Sequence, residues 1–207
     1  MKNPKEMIQV VDSIMVDCLE EGYNKMKWDD STIDSIISKR YPVLRKDAET
    51  DESMRQLIVY VTVYNENTEI LAYPRTGSED RLHGMYSIGI GGHVDAQDGT
   101  YSDGHMNLYY DSCITDTIIR EVYEELAIKT RPQNYLFGGL IKLSQTPVDR
   151  VHIGFHFLLP VKNFEFVQTT EIGNILFVER DSLKNMNLES WSKCVEESGV
   201  LELLQNN

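Results

Sequence analysis

Three glutamates crowd the stretch "IIREVYEELAIKT" at residues 118–130: Glu121, Glu124 and Glu125. On a helical wheel, at about 100° per residue, they fall within one arc, and Glu125 overlaps the edge of an apolar stripe made by Ile114, Ile118, Val122 and Leu126. Like charges at i,i+3 or i,i+4 cost a few tenths of a kcal/mol each, and a carboxylate pressed against a core costs more unless it is paired. Two readings follow. The arc is a solvated face on which Arg120 bridges to Glu124, or it is compensated by a hard dication such as Mg²⁺ or Mn²⁺, which favours clustered carboxylate oxygens and keeps waters for a phosphate to replace. The chemistry such a set could do is metal-assisted attack of water on a phosphate group. That reaction needs neutralised phosphate oxygens, a positioned leaving group and a water deprotonated near neutral pH, and metal ions among carboxylates supply all three.

Other residues invite chemistry less strongly. His152 and His156 in "VHIGFHF" share one face of a predicted strand. They read as a metal-binding pair or, lacking a third ligand nearby in sequence, as ordinary strand histidines. His93 follows a run of glycines and reads as a loop residue or as a phosphate contact. "GIGGHV" does not make a dinucleotide-binding turn, because a polar loop and not a helix follows it. "DAQDGTYSDG" misses the spacing of a calcium-binding loop and reads as solvated.

The elements that must position these groups are mixed. Ile8, Val11, Met15 and Cys18 or Leu19 recur at helical spacing and predict a helix ending near Gly22. A second short helix is predicted over "STIDSIISKR", with Ser31 as its N-cap and the pre-proline Tyr41 closing it. From Arg55, "QLIVYVTVYNENTEILAYP" reads as two strands around a hairpin signal, and "MYSIGIGGHV" as a strand running into glycines. Residues 95–111 read as a long loop, and residues 112–128 as a helix with one apolar stripe. "YLFGGLIKLSQ" and "RVHIGFHFLLPV" supply two more strands. Helices over "RDSLKN" and "ESWSKCVEESGVLELL" close the chain. The division expected is a helical N-terminal extension over 1–54 and an α/β domain over 55–207.

Composition bounds the partners. The chain has 207 residues, of which 41% are hydrophobic and 26% charged, an ordinary globular balance. Its net charge of -13 repels phosphate backbones and anionic lipid, which argues against nucleic-acid and membrane partners. A small anionic substrate then needs local help, which a divalent cation gives. Cys18, Cys113 and Cys194 form no CxxC pair and fit a reducing, cytoplasmic setting. The first residues lack the uninterrupted apolar run of a signal peptide.

"REVYEELAI" resembles the second half of the Nudix box, whose pattern is Gly, five residues, Glu, seven residues, then Arg-Glu-apolar-x-Glu-Glu-x-Gly-apolar. "GIGGHV" is similar to its glycine entrance, and "TEIGNILFVERDSL" resembles a later segment of the family in which a glutamate stands six residues before an aromatic. The resemblance covers residues 57–184. It departs in two places: the distance from Gly92 to Arg120 is about twice the family's, and the first Glu of the box is replaced by Ser112, with Asp111 beside it as a substitute. Ala127 also stands where the box has glycine.

The resemblance implies a Nudix-type α/β/α sandwich with a mixed sheet and helical additions at both ends. It implies that Glu121, Glu124 and Glu125 hold Mg²⁺ (or Mn²⁺) with the Gly91 carbonyl, that Arg120 orients the carboxylates, and that Glu121 or Glu171 serves as general base, Glu171 being alternatively a further ligand. Arg75, and less directly Arg81, would meet a substrate phosphate; Arg75 otherwise pairs on the surface with Glu79 or Asp80. The function implied is a Mg²⁺-dependent pyrophosphohydrolase acting on a nucleoside diphosphate derivative or related phosphorylated metabolite. The alternatives are a non-hydrolytic nucleotide-sensing module and an isopentenyl diphosphate isomerase-like enzyme, the latter needing a cysteine setting that none of the three cysteines has. A homodimer is left open.

Overall fold

The computed structural model describes residues 5–75, 82–99, 110–129, 134–162, 172 and 174–206. At its centre lies β4 (Met54–Tyr64), whose run of branched and aromatic residues is buried on both faces. β4 turns back through "NENT" into β5 (Ile70–Pro74), as the hairpin signal predicts. On its other side it pairs in parallel with β9 (His152–Pro160), from Gln56 opposite His152 to Tyr64 opposite Pro160. β8 (Leu136–Lys142) follows antiparallel to β9, and β2 (Gly22–Lys25) antiparallel to β8. β10 (Leu176–Val178) pairs with β5 at the far end. The glycine segment is two short strands, β6 (Tyr86–Ser87) against β5 and β7 (Ile90–His93) against β4, and not the single strand predicted.

The N-terminal helix expected over Ile8 to Leu19 does not form. The stretch is β1 (Met7–Asp12) followed by a 3-10 turn at Ser13–Val16. β1 pairs with β3 (Tyr41–Leu44) and with the start of β4. Ile8, Val10 and Val11 are fully buried. Both faces of β1 are covered, so the strand carries no alternation by which its period of two could be told from a helical one. α1 (Ser31–Lys39) forms as expected, but Asp30 caps it by accepting from the Thr32 N–H at 2.8 Å, which leaves Ser31 inside the first turn. A single turn of helix, α2 (Arg45–Ala48), leads into β4.

Two layers cover the sheet. α3 (Ser112–Leu126) buries Ile114, Ile118, Val122 and Leu126, the stripe read from sequence, and with α1 and Trp28 it packs on the Val59, Val61, Phe155 and Phe157 side. α4 (Ser190–Glu197) and the 3-10 turns at Arg180–Asn185 and Val200–Asn206 pack on the side of Tyr60, Ile141 and Leu158. The result is a mixed sheet between helices, the α/β/α arrangement expected.

α3 is fixed at both ends. Asp111 is its N-cap, accepting from the Cys113 and Ile114 N–H groups, and its carboxylate meets Arg40 of the α1 end at 3.2 Å. At the C-cap, Ala127 sits in the left-handed region at φ 56°. This is the conformation for which glycine is the usual residue. It explains why the pattern has glycine there.

Candidate active site

α3 brings its acidic face against β7 across one close approach. A Cβ on Gly92 would lie 2.3 Å from Glu121 Oε1, so the absence of a side chain at residue 92 is the space the Glu121 carboxylate occupies. That carboxylate is 12% exposed. Burial pushes its pKa up to about 6, against the pull of Arg120.

Arg120 ties the site together. Its guanidinium donates to Glu121 Oε1 at 2.6 Å, to the His93 carbonyl at 3.0 Å and to Asp98 Oδ2 at 3.0 Å, and it lies 3.8 Å from Asp95. Asp98 is 8% exposed and also accepts from the Thr117 hydroxyl at 2.6 Å. This corrects the reading of "DAQDGTYSDG" as solvated: Asp98 is a buried clamp between the segment after β7 and α3. Asp111 is likewise spent on capping α3 and pairing Arg40, so it does not substitute for the missing first glutamate of the box.

A cleft of about 440 Å³ opens beside β7. It is lined by Gly91, Gly92, Arg120, Glu121 and Glu125 at one end, and Arg75 is also in its wall. Among the described residues β7 pairs only with β4, and the cleft wraps around that edge from the α3 side to the α4 side of the sheet. Glu125 lies close enough to Tyr73 that burial and then the Glu125 charge hold the phenol protonated. Glu124 differs from its neighbours: it is 59% exposed, lies 3.9 Å from Arg120 and is not in the cleft wall. Glu171 and Arg81 lie outside the described residues, as do Glu79 and Asp80.

The histidines separate. His156 is fully buried between the Tyr23 hydroxyl at 2.6 Å and the Thr62 hydroxyl at 3.0 Å. His152 lines the cleft, with Nδ1 at 2.6 Å from the Val148 carbonyl and Nε2 at 3.2 Å from His93 Nε2, which is itself 2.9 Å from Gln56 Oε1. The two strand histidines share a face but not a site. His93, read as a loop residue or a phosphate contact, is the last residue of β7 and lines the cleft.

Among the described residues no three acidic, histidine or cysteine side chains converge as a ready metal cage. The donor chemistry nonetheless suits a hard divalent cation: Glu121 and Glu125, four residues apart, line one cleft, and the guanidinium that meets the largely buried Glu121 is shared with Asp95 and Asp98.

No family model matches the sequence. Protein YmaB of Bacillus subtilis (strain 168) is 32% identical over 182 residues, which span 81% of this chain and 84% of that protein. The crystal structure of Tm1382, a candidate Nudix hydrolase, superposes with a TM-score of 0.77 at 28% identity, covering 96% of this chain and all of that one. DR0079 from Deinococcus radiodurans shares the fold at a TM-score of 0.51 and 13% identity over 97% of this chain and 98% of its own. The NUDIX domain of Shewanella oneidensis NrtR, solved with ADP-ribose, does so at 0.51 and 12%, over 72% of this chain and 88% of its own. With an acidic helix seated on a glycine strand, and the fold of Tm1382 along nearly its whole length at 28% identity, the chain belongs to the Nudix hydrolase family.

Proposed function

We propose that the protein is a Mg²⁺-dependent pyrophosphohydrolase that cleaves the diphosphate linkage of a nucleoside diphosphate derivative. The observation that carries this reading is the pair of carboxylates, Glu121 and Glu125, turned into one cleft beside the Gly91–Gly92 edge with Arg120 bonded to the first of them. Glu121, Glu125 and the Gly91 carbonyl would hold the cation, with Glu124 joining them by rotation of its exposed side chain. Bound there, the cation neutralises diphosphate oxygens and lowers the pKa of a water.

The chain's own residues do the rest. Arg120, fixed by Asp98 and the His93 carbonyl, sets the orientation of the Glu121 carboxylate. Arg75 stands in the same cleft wall, where a guanidinium can meet a phosphate oxygen. Glu171 is proposed as the base that takes the proton of the attacking water, on the strength of the sequence resemblance, and Arg81 as a second phosphate contact on the same ground.

The test is a screen of the purified protein against ADP-ribose, nucleotide sugars, dinucleoside polyphosphates, nucleoside triphosphates and prenyl diphosphates, following phosphate release with and without Mg²⁺. Mg²⁺-dependent turnover of a nucleoside diphosphate derivative is expected. Binding of such a compound without turnover, with Mg²⁺ present, would make the protein a nucleotide sensor instead.

A further inference from the structure

The cleft has a second end that diphosphate hydrolysis does not use. Its floor there is the α4 face of the sheet, where the parallel register sets Gln56 opposite His152, Ile58 opposite Gly154 and Tyr60 opposite His156. Paired residues share a face, and alternate residues of one strand stand about 7 Å apart on it. His152, Gly154 and His156 therefore form one row, with Ile58 and Tyr60 beside it.

The middle position of that row is empty of side chain, and an indole fills it. A Cβ on Gly154 would lie 2.4 Å from Trp191 Cζ3, so the Trp191 ring rests directly on the β9 backbone, one step along the face from His152. Trp191 and His152 line the cleft, and Ile58 lies in the floor between β7 and Gly154.

Trp191 is also held at both its side-chain and its backbone N–H. Its Nε1–H donates to Asp149 Oδ1 at 3.2 Å, and Asp149, itself 2% exposed, is fixed by the Thr146 N–H and hydroxyl. The Trp191 backbone N–H donates to Glu189 Oε2 at 2.9 Å, and Glu189 accepts from the buried Tyr60 hydroxyl at 2.8 Å. With its one donor already satisfied, what the ring presents to the cleft is carbon surface held in a fixed plane, which can stack but cannot select by hydrogen bonding. Val148, Val151 and Leu82 continue the apolar lining.

We propose that Trp191, with His152 beside it, is the ring-binding subsite of this cleft: it holds a nucleobase flat against the indole while the diphosphate lies at the Gly91, Glu121 and Glu125 end. The inference rests on the proposed hydrolase reading for its substrate class, but ring binding itself needs no catalysis. Stacking on an aromatic side chain tolerates any base, so the subsite favours nucleoside diphosphates over diphosphates without a ring and discriminates weakly among bases. His152 uses its Nδ1 hydrogen on the Val148 carbonyl, which fixes the plane of its ring beside the indole.

Fluorescence tests this without turnover. Trp28 is the second indole of the chain and packs edge-on against Tyr110 and Phe137 on the opposite side of the sheet. ADP titrated in the presence of EDTA is expected to quench the emission of the unmodified protein, inorganic pyrophosphate is not, and Trp191→Phe removes the quench. In kinetics, Trp191→Leu keeps an apolar side chain but loses the ring, and KM for ADP-ribose is expected to rise about tenfold more than KM for inorganic tripolyphosphate, with kcat changing less. Quenching by ADP in a protein that hydrolyses nothing would sink the hydrolase reading and leave the subsite standing. Absence of quenching by millimolar ADP in the unmodified protein overturns the subsite, whether or not the variants fold; so does an equal rise in KM for both substrates in a folded Trp191→Leu variant.

Discussion

Glu121 spends its burial on geometry. An acid with so little exposure and a pKa pushed up to about 6 by burial is poorly served by a guanidinium shared with Asp95 and Asp98, and its position is kept by the missing side chain of Gly92. Glu121→Gln and Glu125→Gln are each expected to lower kcat at least about a hundredfold with the thermal midpoint nearly unchanged, and Glu124→Gln to lose least of the three, as steady-state kinetics on the substrate found in the screen will measure. Gly92→Ala should copy the Glu121→Gln loss, because the added methyl takes the carboxylate's place. His156 makes a separate prediction, about stability. Burial holds its imidazole down to about 3 in the fold, whereas the unfolded chain protonates near 6.5. Between those values the unfolded state binds a proton that the native state refuses, so stability falls as pH drops below about 6.5 and is unaffected above it. The His156 contribution is a loss of about 2 kcal/mol from pH 7 to pH 5, read from urea midpoints and diminished in a folded His156→Gln variant.

At the scale of elements, α3 was the most legible part of the sequence, because one stripe of Ile114, Ile118, Val122 and Leu126 admits one period. Its ends are what the pattern left open. Ala127 holds φ 56° where an L-residue is strained, so Ala127→Gly is expected to stabilise the protein by about 1 kcal/mol, measured as a raised urea midpoint or thermal midpoint. β4, β5, β8 and β9 were also legible from their branched and aromatic runs. β1 was not, since covering both of its faces erased the alternation that marks a strand. Asp98 and the seat of Trp191 on Gly154 were illegible for a different reason: each depends on a register between segments distant in the chain, which no local spacing encodes. The acidic face was read correctly as a cluster, but which of its members turn into the cleft depends on the angle at which α3 meets β7.

For the whole molecule, residues 5–53 behave as structure more than as appendage. β1 covers the start of β4, β2 closes the edge of β8, and Lys142 donates to the Val16 and Leu19 carbonyls at 2.9 Å each. Trp28 packs among the core aromatics, and Arg45, paired with Glu6 at 2.8 Å, lines the same cleft as Glu121. A fragment beginning at Met54 is therefore expected to lack a cooperative thermal transition by circular dichroism. A fragment that melts sharply would support the division at residue 54 as a domain boundary.

The parallel pairing of β4 with β9 has a consequence for synthesis. On the ribosome, β4 leaves the exit tunnel nearly a hundred residues ahead of the strand that must lie beside it. Until residue 160 is clear, one edge of an eleven-residue apolar strand has no neighbour in the nascent chain. Long-range pairings of this kind close slowly and expose sticky edges while they wait. Such a chain gives chaperones a reason to attend its birth, and its yield in a heterologous host should depend on how slowly and how cold it is made.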